Sequence, residues 1–398
     1  MKIKISLKEA IILSIYIVFL APNILEYCIP YFHYISIAIR ILGVLVGVMC
    51  FFFTKTHSRA IYILIVYIIY IGFVTLLSNG SIIQWFSIYA NIVGIAMLTE
   101  YLIQNRIDHF IIKIGRLLRG GVVLNLVSLL LFPNGLMQIK TAVLFRKDLF
   151  QLVPFWVFDS DNRFITWFVP TIALVSIADM KKNTKKTLLV TVMATFSLIY
   201  TWSAGAMSVF LLFLILYMFF LETKFIKRIN IRVVLIGYIF VWGYLILFEG
   251  YRIFQPFIVD VLHKNMTLSG RTIVWQRAND YILHNLVLGT GVLDTNVISD
   301  MIGLSHCHSH LLHTIFIGGI IGLVIYLFFW FSVVGPLYRK WDQCEARILG
   351  LLFICVLVAD LVDFLEFSGI YILYMICSNY QYVDNYINEV TNESITSN

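Results

Sequence analysis

A chain in which apolar runs follow one another, most of them long enough to span as helices though several are at the short end, has few folds open to it besides a bundle of membrane-spanning helices. Such runs cover Ile11 to Ile29, Tyr31 to Phe53, Ala60 to Ser78, Ile82 to Ile103, Leu117 to Phe132 and Phe164 to Ala178. They resume at Thr187 to Trp202, Ala204 to Leu221, Val233 to Phe248, Leu311 to Val334, Ile348 to Val362 and Phe367 to Tyr380. The expectation is an all-α, polytopic membrane protein of about twelve spans. With 60% hydrophobic and 13% charged residues, the composition is far from that of a soluble enzyme.

The net charge of +7 does not imply a nucleic-acid partner, because Lys and Arg in a membrane protein first set orientation. If the N-terminus is cytoplasmic, alternate connectors carry most of the 29 basic residues: Lys2, Lys4 and Lys8; Lys55 and Arg59; Arg106 to Arg119; Lys181 to Lys186; Lys224 to Arg232; Arg339 to Arg347. That bias predicts both termini inside. The basic start before Ile11 lacks a small-residue cleavage site and reads as an uncleaved first span. Residues 1–380 are expected to form one transmembrane domain, and 381–398 a polar, disordered cytoplasmic tail. The six cysteines show no CxxC spacing and suggest no metal or disulfide framework.

Two connectors are long, Pro133 to Arg163 and Glu249 to His310, and both fall on the outer face in this topology; long connections in compact proteins are usually functional. In the second, which joins spans nine and ten, Arg271 precedes Trp275, Ala278, Ile282 and Leu286 at helical steps, while Gln276, Asn279, Asp280 and His284 turn away. This spacing predicts an amphipathic helix at the outer interface. Arg271 stands at its first turn, where unpaired N–H groups favour an anion. It is open to two readings, a ligand for a lipid-linked phosphate or a side chain snorkelling to headgroups.

His306, His308, His310 and His313 crowd the entry to the next span. Helical spacing would place His306, His310 and His313 on one face and raise the question of zinc, but no carboxylate or thiol completes a set. The competing functional reading makes one imidazole a general base near a membrane cavity. Arg40, within the second span, must face a cavity or a counter-charge, for which Asp360, Asp363 and Glu366 are candidates. Gly318, Gly319 and Gly322 are expected to allow close helix packing.

Ser269-Gly270-Arg271, Trp275, Leu288-Gly289-Thr290-Gly291, His308-Ser309, Leu312 and Gly319-Ile320-Ile321-Gly322, in this order, resemble the C-terminal signature of the Wzy-type polysaccharide polymerase and O-antigen ligase superfamily. The resemblance covers about fifty residues. It implies a C-type, metal-independent, inverting membrane glycosyltransferase without cofactors, whose donor is an undecaprenyl-diphosphate-linked oligosaccharide at the outer face of the bacterial cytoplasmic membrane. By position, Arg271 would contact the diphosphate and His308 would serve the acceptor hydroxyl. Two departures stand out: Trp202-Ser203-Ala204-Gly205-Ala206 lacks the family's arginine near the start of a middle helix, and Ser309 replaces an asparagine. Arg163, in Asp161-Asn162-Arg163, resembles a capsular-polymerase motif and could replace the missing cation, or it could be an anchor paired with Asp159 or Asp161.

The expected site therefore comprises His308 and Arg271 as catalytic residues, with Arg163, Arg40, Trp275, Arg277 and His313 on the substrate. The leading expectation is a repeat-unit polymerase, working with membrane lipid and with a chain-length regulator or flippase as further partners. A ligase passing finished polymer to another acceptor and a lipid-linked oligosaccharide flippase are the alternatives.

Overall fold

The computed structural model describes residues 7–21, 24–143, 146–182, 185–254, 270–361, 363 and 368–396. Ser269, Lys264, Asp260 and Glu366 lie outside them. The first half runs α1 (Leu7–Phe19), α2 (Ile24–Cys28), α3 (Phe32–Phe53), α4 (Arg59–Leu77), α5 (Ile82–His109) and α6 (Gly115–Leu131), then the strands β1 (Met137–Val143) and β2 (Arg146–Phe155). Next come α7 (Ile165–Lys182), α8 (Lys186–Tyr200), α9 (Ala204–Ile215), α10 (Lys224–Arg228), α11 (Ile231–Trp242), α12 (Arg271–His284) and α13 (Thr295–Ile302). The chain closes with α14 (His310–Arg339), α15 (Cys344–Asp360), α16 (Ser368–Ser378) and α17 (Tyr380–Thr396).

Helix dominates because the apolar runs repeat at steps of three and four. On α4, Ile61, Leu64, Ile68 and Ile71 are buried, while Tyr62, Val66, Ile69 and Phe73 form an equally apolar stripe that is exposed. Leu42, Leu45, Met49 and Phe52 repeat the exposed pattern on α3. A helix apolar on both its packed and its outward face belongs in lipid. Among the described residues, the segments Tyr34–Phe53, Arg59–Leu77, Ile82–Leu131 and His310–Arg339 are long and apolar enough to cross a membrane. Shorter apolar helices cover Ile165–Met180, Lys186–Tyr200, Gly205–Phe220, Ile231–Leu247 and Ser368–Ser378.

In the centre stands α16. From Ile370 to Ser378 every residue is buried, and the helix packs against α4, α5, α7, α14 and α15. A short helix buried all round is a core post, and its two ends open on two different cavities.

The structure departs from the sequence expectation in four places. α5 and α6 meet without a loop: a kink at Arg106 (φ −150°) and a wide helical turn over Phe110–Ile114 join them, so the basic connector is itself helical. The connector after α6 is a β-hairpin, with Met137 opposite Phe155 and Ile139 opposite Val153; alternation over two short stretches is weak against a background of helical runs. The segment from Gln381, expected to be disordered, continues as α17, with Val383 and Tyr386 buried. Its polar residues mask an apolar stripe of the helical period. Finally, α12 ends at His284, so Leu286 lies beyond it and is 45% exposed.

Candidate active site

The end of α16 that carries Ser368 and Gly369 borders a cavity of about 280 Å3. Arg40 comes to it from α3, Ser87 and Asn91 from α5, Asp159 and Arg163 from the segment between β2 and α7, and Thr166 and Trp167 from α7. The two arginines, 123 positions apart in the chain, thus line one hollow. Arg163 Nη1 stands 3.2 Å from Asp159 Oδ2, with Arg163 43% and Asp159 3% exposed. Asp159 has φ 110°, a conformation rare for any residue but glycine. It closes a tight turn in which Trp156 and Asp159 exchange both backbone hydrogen bonds, at 3.0 and 3.2 Å. The Trp156 indole donates to the Phe132 carbonyl (2.9 Å), the Phe158 amide donates to Asn125 Oδ1 (3.0 Å), and the Phe158 ring stacks on Trp167 at 4.9 Å. Backbone strain held in place by such packing is common where a side chain must be aimed. Here it turns the Asp159 carboxylate toward Arg163.

His308 lies in the short link between α13 and α14 and also has positive φ, 49°. Its Nδ1 is 3.4 Å from Asp363 Oδ1, just beyond the end of α15. Its amide donates to His306 Nδ1 at 3.3 Å, and the two imidazoles meet edge to face with centroids 4.4 Å apart. His306 feels the charges of His308, Asp363, His313 and Arg163. Asp363, expected first as a structural partner for the arginines and second as a catalytic carboxylate, meets His308. The pairing is not legible in sequence, because the two residues are 55 positions apart.

Burial, with the nearby charges of His308, His313 and Arg163, pushes the His306 imidazole well below its ordinary value, against a smaller opposing pull from Asp363. His306 is then neutral at pH 7 and accepts the His308 amide. The unfolded chain takes up a proton at this position near pH 6.5 while the folded chain does not, so its contribution to stability is full above that pH and lost as the pH falls. The thermal midpoint of the wild-type protein is expected to drop between pH 7.5 and 5.5. His306→Asn, which keeps an acceptor, should flatten that slope; an unchanged slope would show that His306 is not the group responsible.

The remaining expected site residues lie elsewhere. Arg271 opens α12 behind Gly270, whose φ is 90°, and is not among the residues lining the cavity. Trp275 is 3% exposed and meets Tyr251 edge to face at 5.9 Å, which makes it part of the packed wall rather than an open contact surface. Arg277 lies on the exposed face of α12. His313 is 8% exposed and stacks on Phe316. The shared helical face of His306, His310 and His313 does not form, because α14 begins only at His310. Among the described residues, no group of three His, Cys, Asp or Glu side chains is placed to hold a metal.

The glycine motifs have a structural role. α14 is broken at Gly319 (φ 59°, ψ −164°). The break frees backbone groups that lipid cannot satisfy, and Leu286 to Gly291 satisfies them. The amides of Thr290 and Gly291 donate to the carbonyls of Phe316 and Ile317, both at 2.9 Å, and the Ile320 amide donates to the Leu286 carbonyl at 2.8 Å. The Tyr70 hydroxyl takes the Gly318 carbonyl at 2.9 Å. Gly289 and Gly291 hold φ of 82° and 68°. A Cβ on Gly289 would lie 2.4 Å from the Gly319 nitrogen, and one on Gly319 would lie 2.3 Å from the Val287 oxygen. The two motifs are thus halves of one backbone clamp.

Residues 189–327 match the family profile described as O-antigen ligase. This segment is similar to the O-antigen ligase family. It runs from α8 into α14 and contains Arg271, the glycine clamp and His308. Arg40, Arg163 and Asp363 lie outside the matched stretch, and Asp363 meets His308 within it. No curated protein matches the chain.

Proposed function

We propose that this chain is a membrane glycosyltransferase that joins polyprenyl-diphosphate-linked repeat units at the outer face of the bacterial cytoplasmic membrane. The observations that carry the proposal are the cavity shared by Arg40 and Arg163, the contact of His308 with Asp363, and the charge of Arg163 acting on His306. A guanidinium is a permanently charged, planar donor that matches phosphate oxygens. Two of them around one hollow suit a diphosphate, and Arg271 at the start of α12 would contribute a third to a longer headgroup.

In this reading the His308 Nδ1–H is directed to Asp363, which leaves Nε2 to receive the acceptor hydroxyl proton. The hydroxyl oxygen bonds to the anomeric carbon as the carbon–oxygen bond to the diphosphate breaks. The electron pair leaves on the diphosphate, where the arginines stabilise it. Direct displacement inverts the anomeric centre. The family description favours a second reading, transfer of finished polymer to a different acceptor, which the same residues would serve.

Full-length protein in liposomes, supplied with a lipid-diphosphate repeat unit and EDTA, is expected to yield a ladder of longer glycans. Transfer to an added second acceptor without lengthening would mark a ligase. Lipid movement between leaflets at constant glycan length would mark a flippase and overturn the proposal.

A further inference from the structure

The other end of α16 opens on a second cavity, of about 430 Å3, bordered by Ser378 and Asn379. Ten residues of helix put it about 15 Å from the first cavity along the α16 axis. Three arginines from three helices line it: Arg59 at the start of α4, Arg232 at the start of α11 and Arg339 at the end of α14. The lining contains no Asp or Glu. Among the described residues no carboxylate pairs with any of the three; Arg232 rests on the Tyr338 ring, 4.4 Å from its centroid, which leaves its N–H edges open.

Arg347, nearby in sequence, shows the contrast. It is 1% exposed, and its donors are taken by the carbonyls of Leu221, Trp341 and Asp342 and by Glu222. Glu100, a buried carboxylate near this end, is already engaged by the Ser58 amide at 2.8 Å, His57 Nδ1 at 3.2 Å and Asn379 Nδ2 at 3.4 Å. Three cations around a hollow that offers them no anion call for one from outside.

Ile63, Phe328, Phe331 and Pro336 also line the cavity, and Phe328 is 62% exposed. Tyr62, Val66 and Ile69, an exposed apolar stripe, lie on α4 next to Ile63, and α4 packs along α14. A charged head space that runs into a lipid-facing stripe fits an amphiphile. We infer that Arg59, Arg232 and Arg339 form a binding site for the phosphate of a lipid, whose chain lies along α4 and α14. The inference is independent of the glycosyl-transfer reading.

The test uses the purified full chain in a neutral detergent, titrated with phosphatidic acid and followed by native mass spectrometry. One adduct is expected to saturate first and to survive activation that strips phosphatidylcholine. The double variant R59Q/R339Q removes two charge-assisted contacts and should weaken that adduct tenfold or more, on the order of the loss such contacts carry. K55Q/R228Q makes the same charge change elsewhere and should leave it intact; equal weakening in both variants would mean diffuse surface charge and overturn the site. Inorganic phosphate added in excess separates two sources of the anion: persistence of the lipid adduct supports the proposal, and displacement by phosphate alone overturns the role of the chain. On unaltered protein, photoactivatable phosphatidic acid should crosslink to α4 and α14 around Ile63 and Phe328. Crosslinks confined to other helices would also refute the assignment, whether or not the variants fold.

Discussion

Gly319→Ala is expected to destabilise the protein by about 3–5 kcal/mol, enough to abolish accumulation of folded protein in the membrane. The position combines φ 59° with ψ −164°, a region essentially reserved to glycine and costing about 1–3 kcal/mol for other residues. The added methyl would also sit 2.3 Å from the Val287 carbonyl oxygen, a backbone atom that cannot swing aside. Relieving that contact breaks the clamp and exposes carbonyls of Phe316 and Ile317 to hydrocarbon. Two neighbours provide the comparison. At Gly318 the new methyl meets the end of the Ile71 side chain at 2.6 Å, and at Gly322 it meets Tyr70 Cε1 at 3.3 Å, both yielding partners. Gly318→Ala and Gly322→Ala should cost about 1 kcal/mol or less by repacking. Thermal midpoints and yields of the three variants in detergent give the ranking. Equal loss at all three would return these glycines to the simple role of close helix packing.

His308→Ala is expected to lower the rate of glycan elongation by about 10²–10⁴-fold, the range for removing a positioned base, with the donor KM little changed. Arg163→Gln should lose about 10²–10³-fold, chiefly in kcat, because its charge matters most as the diphosphate departs. Arg163→Lys keeps the charge but not the planar fork and should fall between wild type and Gln. Asp363→Asn should act through His308: a lower kcat at unchanged donor KM, and no further loss when added to His308→Ala. Initial rates with a defined lipid-diphosphate donor, on variants checked for insertion and monodispersity, measure all four. Wild-type rates in both His308→Ala and Arg163→Gln would remove the proposed site.

The parts of this architecture legible in the sequence are those that depend on near neighbours. Among the described residues the apolar runs are mostly helix, the first of them divided between α1 and α2, and α12 starts at Arg271 as its spacing predicts. What sequence could not give depends on partners far along the chain. Leu286–Gly291 and Phe316–Ile321 look like ordinary loop and helix glycines until their backbones are seen to bond. Arg40 and Arg163 were each recognisable as costly charges in or near lipid, but only folding puts them in one hollow. Asp159 was visible as a partner for Arg163; its positive φ was not, because nothing in Phe158-Asp159-Ser160 demands one. The histidine cluster misled in the opposite way, since a helical reading assumed that α14 began early enough to include His306.

The clamp also governs how a large ligand could enter. Thr290 and Gly291 are tied to α14 on one side, and the Val292 amide is tied to the Thr75 hydroxyl of α4 at 2.9 Å on the other. A loop riveted to two helices at once does not hinge upward like a trapdoor. If the proposed transferase reading holds, a lipid-linked sugar would have to enter between helices, past a stretch that stays fixed.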